Sequence, residues 1–356
     1  MKYLGMLGMG LIAALLGTTL LVAQEQNPAA KKAAPQAPLK NPGPPKKPAS
    51  TTLPDMTNVV YGNDQKFNVI DLWKAKSDKP TPLVIFIHGG GFGGGNKDQI
   101  LTQLPLDEFL KAGVSCASID YRRLNSKPGP RQFIYPAIFL DCARAVQFLR
   151  YKAKEWNLDP KRFACAGGSA GAGMSLWIGF HKDLADPQSD DPVARESTRL
   201  TCVAVFNAQT SYDARWIKDQ LPGKAFMTPN IHQLFGLEPS EMLKPVPDYA
   251  QFNKQPASEL LTPSSEKAKL MEDGSPINHV TAEAPPVFMA YQGQQLKPRQ
   301  PSDNIHQIQF GLRLKEKMDA LKVECEIVAG WPQNPESTGP DKTDVEFVLR
   351  HFGMNK

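Results

Sequence analysis

The chain has 356 residues, 41% of them hydrophobic, which is enough for one large core. Its 41 Lys and Arg against 36 Asp and Glu give a formal net charge of +5. Because several lysines lie in the N-terminal tail, the rest of the chain is close to neutral, and no basic patch predicts binding to nucleic acid. After residue 23, no segment is apolar over the length that spans a bilayer.

Residues 1–23 have the pattern of a secretory signal peptide. Lys2 is the positive start, residues 4–22 form the apolar segment, and Ala23 is a small residue at the cleavage point. An uncleaved membrane anchor is the competing interpretation, because the apolar run approaches the ~20 residues that cross a bilayer. We therefore expect a secreted or periplasmic protein whose mature chain does not span a membrane.

Residues 24–55 are rich in Pro, Ala and Lys. Such a stretch cannot bury a core, and its composition predicts an extended linker. The predicted folded domain therefore covers residues 56–356.

The five cysteines form neither a metal-binding nor a disulfide pattern. They are Cys116, Cys142, Cys165, Cys202 and Cys325. We predict buried thiols that act as small hydrophobic residues. The sequence predicts no bound metal.

Strand and helix patterns alternate through the folded domain. Alternating apolar and polar residues predict a hairpin over 59–61 and 67–73, and the apolar run 83–87 predicts a strand buried on both faces. Further strands are predicted at 114–120, 163–166, 202–207, 287–291 and 323–328. Helices are predicted at 98–111, 137–156, from 170, 305–321 and 344–351. This order predicts an α/β fold with a mostly parallel central sheet and helices on both faces.

Residues 211–286 interrupt the alternation. The stretch contains many prolines and charged residues and is too long for a plain connection. We interpret it as a cap-like insertion over the sheet, with short helices at 231–237 and 258–270.

Two glycine-rich segments each follow a predicted strand. In Gly167-Gly168-Ser169-Ala170-Gly171, small residues allow a sharp strand-to-helix turn that exposes Ser169 as a nucleophile. In His88-Gly89-Gly90-Gly91-Phe92, glycines let backbone N–H groups approach a developing oxyanion. We predict an oxyanion hole made by the N–H groups of Gly90, Gly91 and Ala170, and a structural role for His88. A glycine loop used for packing or phosphate binding is the alternative for either segment alone.

These motifs carry a family resemblance. With Asp120-Tyr121-Arg122 and Asp159-Pro160-Lys161-Arg162, the glycine segments make residues 56–330 resemble the hormone-sensitive-lipase-like and feruloyl-esterase-like carboxylesterase branch of the α/β-hydrolase superfamily. The resemblance implies the α/β-hydrolase fold, hydrolysis of carboxylic esters by a Ser–His–Asp triad, and no cofactor. It does not specify the substrate.

The candidate acid comes from counting along the chain. The resemblance expects an Asp after the strand that follows the insertion, but Gln294 and Gln295 stand there and are not carboxylates. Counting back from the helix at 314–321 places Asp303 where the family's acid lies, with residues 294–302 as a loop extension. A helix N-cap is the alternative role for Asp303.

The candidate base departs from the family pattern, because the loop after the last strand, 330–335, contains no histidine. His306 lies three residues after Asp303 at the catalytic edge, and we take it as the candidate base. His232 and His279 in the insertion are alternatives, and a structural role competes with catalysis for all three. His351 lies about 15 Å along the last helix, which favours packing or a surface role.

Two functions are compatible with these residues. The first is a secreted serine hydrolase that cleaves acyl or acetyl esters, on a small molecule or a carbohydrate, through an acyl-enzyme on Ser169. The second is a catalytically weak or inactive binding protein on the same fold, because loss of one triad member costs about 10⁴- to 10⁶-fold in rate. A peptidase is a third option, since that chemistry shares the fold. The sequence does not indicate the oligomeric state.

Overall fold

A central sheet of nine strands organises the part of the chain that a computed structural model describes, namely residues 50–124, 135–221, 233–236, 265–292, 294, 296, 305–331 and 335–354. The strands are β1 Met56–Val60, β2 Val69–Trp73, β3 Thr81–Ile87, β4 Ser115–Ile119, β5 Leu158–Gly168, β6 Cys202–Phe206, β7 Val287–Gln292, β8 Cys325–Trp331 and β9 Glu336–Ser337. Their order across the sheet is β1-β2-β4-β3-β5-β6-β7-β8-β9. Neighbours from β4 to β8 are parallel, whereas β1 and β2 at one edge and β9 at the other pair antiparallel. The predicted mostly parallel sheet is therefore confirmed.

Within the described residues, helices connect the parallel strands and one further helix follows β9. They are α1 Ile100–Gln103, α2 Leu106–Lys111, α3 Ala137–Tyr151, α4 Ala153–Trp156, α5 Ala170–Phe180, α6 Ala214–Gln220, α7 Ser265–Gly274, α8 Gln309–Ala320 and α9 Asp344–His351. Short 3₁₀ helices occur at Lys97–Gln99 and Pro276–His279. No helix within the described ranges combines the length and apolarity needed to cross a bilayer.

The side chains of β3 are buried on both faces of the sheet. Ile85 and Ile87 are fully buried in an apolar cluster with residues of α3 and α5. Val84 and Phe86 are equally buried in a second cluster with residues of α2 and α9. Since successive side chains of a strand point to opposite faces, an uninterrupted apolar run fits only a strand with helices on both sides.

Three predicted helices have different boundaries in the structure. The predicted helix 98–111 is divided, because Leu104 is extended before Pro105, as a residue before proline prefers. The predicted helix 137–156 is interrupted at Lys152 and ends before Asn157, whose φ of 59° terminates α4. The predicted helix 305–321 begins only at Gln309.

Part of the predicted cap-like insertion is described. α6 and α7 lie in it, and α7 overlaps the predicted helix 258–270 while continuing to Gly274. Residues 222–232 and 237–264 lie outside the described residues, and so do three residues of the predicted helix 231–237. The insertion as a separate unit therefore stays a prediction.

The predicted buried thiols are confirmed. All five cysteines are free and buried, and four of them lie on β4, β5, β6 and β8. Burial raises the pKa of the Cys165 thiol to about 12, which keeps it protonated at neutral pH.

Arg350 of α9 forms ion pairs with three carboxylates near the start of β8. Its Nη2 lies 2.6 Å from Glu324 Oε1, 2.7 Å from Glu326 Oε1 and 2.5 Å from Asp341 Oδ2. One guanidinium thus faces three acidic groups, of which Glu326 is only 2% exposed. Burial, together with the neighbouring Glu324, raises the pKa of Glu326 to about 7.

This cluster predicts a pH-dependent stability. The pKa of Glu326 is higher in the folded than in the unfolded chain, so folding binds a proton. The free energy of unfolding should therefore fall, by on the order of 1 kcal/mol, as pH rises from about 4.5 to 7.5. Urea titrations across this range measure the effect. Glu326→Gln should flatten the profile, whereas Glu316→Gln on the exposed face of α8 should leave it unchanged. An unchanged slope in Glu326→Gln would contradict the assignment.

Candidate active site

Ser169 lies at the sharp turn between β5 and α5. Its backbone has φ 54° and ψ −120°, a left-handed conformation that residues other than glycine rarely adopt. Such strain is characteristic of a nucleophile held out of line with strand and helix. The backbone N–H of Ser169 donates to Phe206 O at 3.2 Å, so the end of β6 supports the turn.

Close backbone approaches bring the two glycine segments together. A Cβ on Gly171 would lie 1.9 Å from Ile87 O, and a Cβ on Gly167 would lie 2.4 Å from the same atom. A Cβ on Gly89 would lie 2.8 Å from Gly168 O and 3.5 Å from Ser169 Cβ. Glycine is therefore required where the start of α5 packs on the end of β3, and this packing places the His88–Phe92 loop beside Ser169.

The loop after β3 adopts backbone conformations that favour glycine. Gly90 has φ 118° and Gly91 has φ 58°. Gly90 O accepts hydrogen bonds from the N–H groups of Gly93 and Gly94, which curl the loop. Within the described residues, neither Gly90 N–H nor Gly91 N–H donates to a protein acceptor. The N–H of Ala170, the first residue of α5, has no acceptor within its own helix. An oxyanion hole formed by these three N–H groups stays a prediction.

Two ring-bearing side chains of this loop, Phe92 and His88, are buried. Phe92, at φ 63°, is 1% exposed, and its ring centroid lies 5.7 Å from that of Tyr212 and 5.9 Å from that of Phe139. Phe92 therefore packs in the core. The fully buried His88 ring stacks on Tyr121 with centroids 4.2 Å apart, and its Nδ1 lies 2.7 Å from Gly89 O. The imidazole that meets Ser169 belongs to a different residue.

His306 is the histidine that contacts Ser169. Its Nε2 lies 2.8 Å from Ser169 Oγ, which is hydrogen-bond distance. Burial lowers the pKa of His306 below its ordinary value of 6.5, because desolvation disfavours the imidazolium. The ring is therefore neutral at pH 7 and able to accept a proton.

Gln294 fixes the turn that carries His306. Its side-chain Nε2 donates to His306 O at 2.8 Å, and its Oε1 accepts from Ile308 N at 2.7 Å. The Gln294 amide thus bridges both sides of His306, and α8 starts only after this turn. From the sequence, Gln294 was considered only as a residue that cannot serve as the acid of the triad, and its contacts with the turn around His306 were missed. A polar residue directly after a buried strand was the available signal.

The other candidates divide into those the structure describes and those it does not. Asp303 and His232 lie outside the described residues, so their predicted roles stay predictions. His279 Nε2 lies 2.5 Å from Asp273 O, and His351 packs against Phe347 with its Nε2 3.5 Å from Glu324 Oε2. Neither of these two rings is the one beside Ser169.

Comparison with known proteins places the chain in a family. A family model described as BD-FAE matches residues 70–305, which include Ser169 and the loop after β3. The chain belongs to the BD-FAE family. The resemblance to the carboxylesterase branch of the α/β-hydrolase superfamily is thereby confirmed.

Curated relatives of this BD-FAE member are esterases. The chain is 26% identical over 235 residues to Esterase LipC of Mycobacterium tuberculosis (strain ATCC 25618 / H37Rv), covering 65% of this chain and 49% of the relative. It is 34% identical over 109 residues to Carboxylesterase NlhH of Mycobacterium tuberculosis (strain CDC 1551 / Oshkosh), covering 30% of this chain and 31% of the relative. The chain spans about half the length of LipC and of the similarly matched LipM and LipQ.

Solved structures show the same fold. An acetyl ester-xyloside bifunctional hydrolase from Caldicellulosiruptor lactoaceticus aligns with a TM-score of 0.54 at 22% identity, covering 80% of this chain and 89% of that one. A truncated carbohydrate esterase from gut microbiota aligns with a TM-score of 0.55 at 19% identity, covering 81% and 90%. The BD-FAE chain therefore has the α/β-hydrolase fold, as predicted.

Proposed function

We propose that this BD-FAE member is an exported serine hydrolase that cleaves carboxylic esters through an acyl-enzyme on Ser169. The 2.8 Å separation between Ser169 Oγ and His306 Nε2 is the observation that carries the proposal. A serine hydroxyl is a weak nucleophile until a neighbouring base accepts its proton. This contact favours the enzyme over the inactive binding protein, which rested on the missing histidine after β8.

The proposed reaction assigns one step to each group. Ser169 Oγ attacks the ester carbonyl while its proton passes to His306 Nε2, and the carbonyl oxygen becomes an anion bound by the N–H groups of Gly90, Gly91 and Ala170. His306 then gives the proton to the departing alcohol, which leaves the acyl group on Ser169. A water molecule, deprotonated by His306, hydrolyses this ester. Asp303 is proposed to orient the imidazole.

The proposed substrate is an acyl or acetyl ester of a small molecule or a carbohydrate. The named activities of two neighbours in fold, on an acetyl ester and on carbohydrate, motivate the carbohydrate arm of the substrate test.

Fluorophosphonate labelling tests the nucleophile. We expect stoichiometric labelling of the wild-type protein, with the adduct located on Ser169 by peptide mass spectrometry, and none in Ser169→Ala. Ser175→Ala is the matched control, because Ser175 lies on the same helix but is fully buried. Turnover of p-nitrophenyl acetate, octanoate and an acetylated xylo-oligosaccharide then ranks the substrates. Absence of labelling together with background turnover on all three would support the binding protein.

The pKa of His306 predicts the pH dependence of turnover. Only the neutral imidazole accepts the Ser169 proton, so kcat/KM should fall as pH drops through the pKa of His306. Because burial lowers that pKa, the midpoint of the acidic limb should lie below 6.5. Rates of p-nitrophenyl acetate hydrolysis between pH 4.5 and 8.5, corrected for stability, measure the midpoint. An acidic limb centred above pH 7 would contradict burial as the controlling factor.

A further inference from the structure

Two histidines and an aspartate from separate segments meet at the far end of the nucleophile helix. His181 directly follows α5, Asp273 lies in α7, and His279 ends the 3₁₀ helix Pro276–His279. One potential ligand atom from each side chain lies within 4.8 Å of the other two. The two imidazole centroids are 4.8 Å apart. Asp273 and His279 lie six residues apart, whereas His181 is far from both in sequence, so no metal-binding motif is recognisable along the chain.

The His181 ring is already oriented for ligation. Its Nδ1 lies 3.0 Å from Lys182 O, an arrangement that puts the ring proton on Nδ1 and leaves a lone pair on Nε2. The ring also stacks on Trp177 with centroids 4.2 Å apart. A metal-binding histidine commonly donates its second ring N–H to a backbone carbonyl in this way, which fixes the tautomer.

Neighbouring groups hold Asp273 as well. The Tyr135 hydroxyl donates to Asp273 Oδ2, and Trp177 Nε1 donates to Asp273 O at 2.9 Å. Trp177 therefore contacts two members of the cluster at once. His279 Nε2 lies 2.5 Å from Asp273 O and 3.7 Å from Asp273 Oδ1, so the second imidazole also contacts this aspartate.

The cluster opens onto a cavity of about 800 Å³. His181, Asp273 and His279 all line it, and Arg199, another lining residue, donates to His181 O at 3.3 Å. This space leaves a coordination position for water or an anionic ligand. Two imidazoles and one carboxylate suit zinc and neighbouring transition metals, whereas magnesium and calcium prefer oxygen ligands alone.

We propose that His181, Asp273 and His279 bind a divalent transition cation of the zinc type, with its fourth position open to the cavity. The cation links the end of α5 to the α7 segment of the predicted insertion. His181 lies about 18 Å along the helix from Ser169, so this cation takes no part in ester chemistry. Its expected effect is to stabilise the domain.

Calorimetric titration of the untagged full chain, treated with chelator and then given zinc chloride, tests the site. We expect one saturable site, no competition by excess magnesium, and at least tenfold weaker binding in Asp273→Asn and in His279→Gln. His351→Gln is the matched histidine control and should bind zinc as the wild type does. Zinc at 100 times its Kd should raise Tm by about 3 °C or more in the wild type only.

A second measurement reports the location of the cation. Cobalt bound beside Trp177 should quench its fluorescence, and Trp177→Phe should remove this quenching while zinc still binds. Circular dichroism establishes that each variant is folded. The proposal would be overturned if the wild-type protein bound no stoichiometric zinc, or if both Asp273→Asn and His279→Gln bound zinc as the wild type does. Neither result depends on esterase activity, which is measured separately in chelator.

Discussion

Replacing His306 by alanine should lower kcat/KM for p-nitrophenyl acetate by about 10⁴- to 10⁶-fold. His306 Nε2 is 2.8 Å from Ser169 Oγ, so its loss leaves the hydroxyl without this base. The variant should keep its oxyanion donors and the small residual catalysis that they provide. Stopped assays at high protein concentration measure such slow rates. Circular dichroism and Tm should match the wild type, because the half-buried ring lies at the site and not in the core.

Two controls make the result specific to the imidazole at position 306. His351→Gln, a change of comparable size remote from Ser169, should retain activity within a few-fold. Free imidazole should partly restore turnover to His306→Ala but not to Ser169→Ala. Activity within tenfold of the wild type in His306→Ala would show that another group is the base, and His232 would then be the next variant to measure.

Replacing Gly171 by alanine should destabilise the domain by about 3 kcal/mol or more. The added Cβ would lie 1.9 Å from Ile87 O and 2.7 Å from His88 O. Both contacts are with backbone atoms at the end of β3, so rotation of a side chain cannot relieve the overlap. The gain in helix propensity from glycine to alanine is at most about 1 kcal/mol and does not offset this overlap. Urea unfolding monitored by fluorescence measures the loss.

The matched control is Gly94→Ala, in the loop after β3. Its Cβ would meet only Gly90 O, at an ordinary contact distance of 3.5 Å. We expect a change within about 0.5 kcal/mol. Equal stabilities of the two variants would mean that α5 does not pack on β3 as closely as the structure indicates. If Gly171→Ala does not accumulate as folded protein, its yield beside Gly94→Ala gives the same ranking.

These two predictions concern different levels of organisation. The close packing at Gly171 brings the Ser169 turn and the glycine loop after β3 together, and this pair of segments was recognisable in the sequence. The contact between His306 and Ser169 depends on the turn that follows β7. A proposed triad whose base follows β7 departs from the arrangement expected of the family, in which that base follows β8. The Gln294 bridge supplies a physical reason for the departure, because it holds residues 306–308 in a turn and delays the start of α8 until Gln309.

Much of the architecture was predictable because burial and periodicity are local signals. The apolar run of β3 can only be satisfied between two helical layers, and the alternation of such runs with helical patterns specifies a parallel sheet. The boundaries were less predictable. The break at Pro105 follows a local rule that was available, whereas the late start of α8 accompanies a hydrogen bond that Ile308 N donates to Gln294 Oε1 in the loop after β7.

The sequence alone was therefore enough to predict that Ser169 lies in a sharp glycine-rich turn. The positive φ of this turn and the close backbone approaches around it require small residues at adjacent positions. The sequence did not suffice to choose among His232, His279 and His306, since the positions of His279 and His306 are set by tertiary contacts of their connecting segments. The three-dimensional arrangement puts His306 against Ser169 Oγ and gathers His279 with His181 and Asp273 at the opposite end of α5. Hydrogen bonds from distant segments decide these placements, and their energies do not appear in any local pattern of residues.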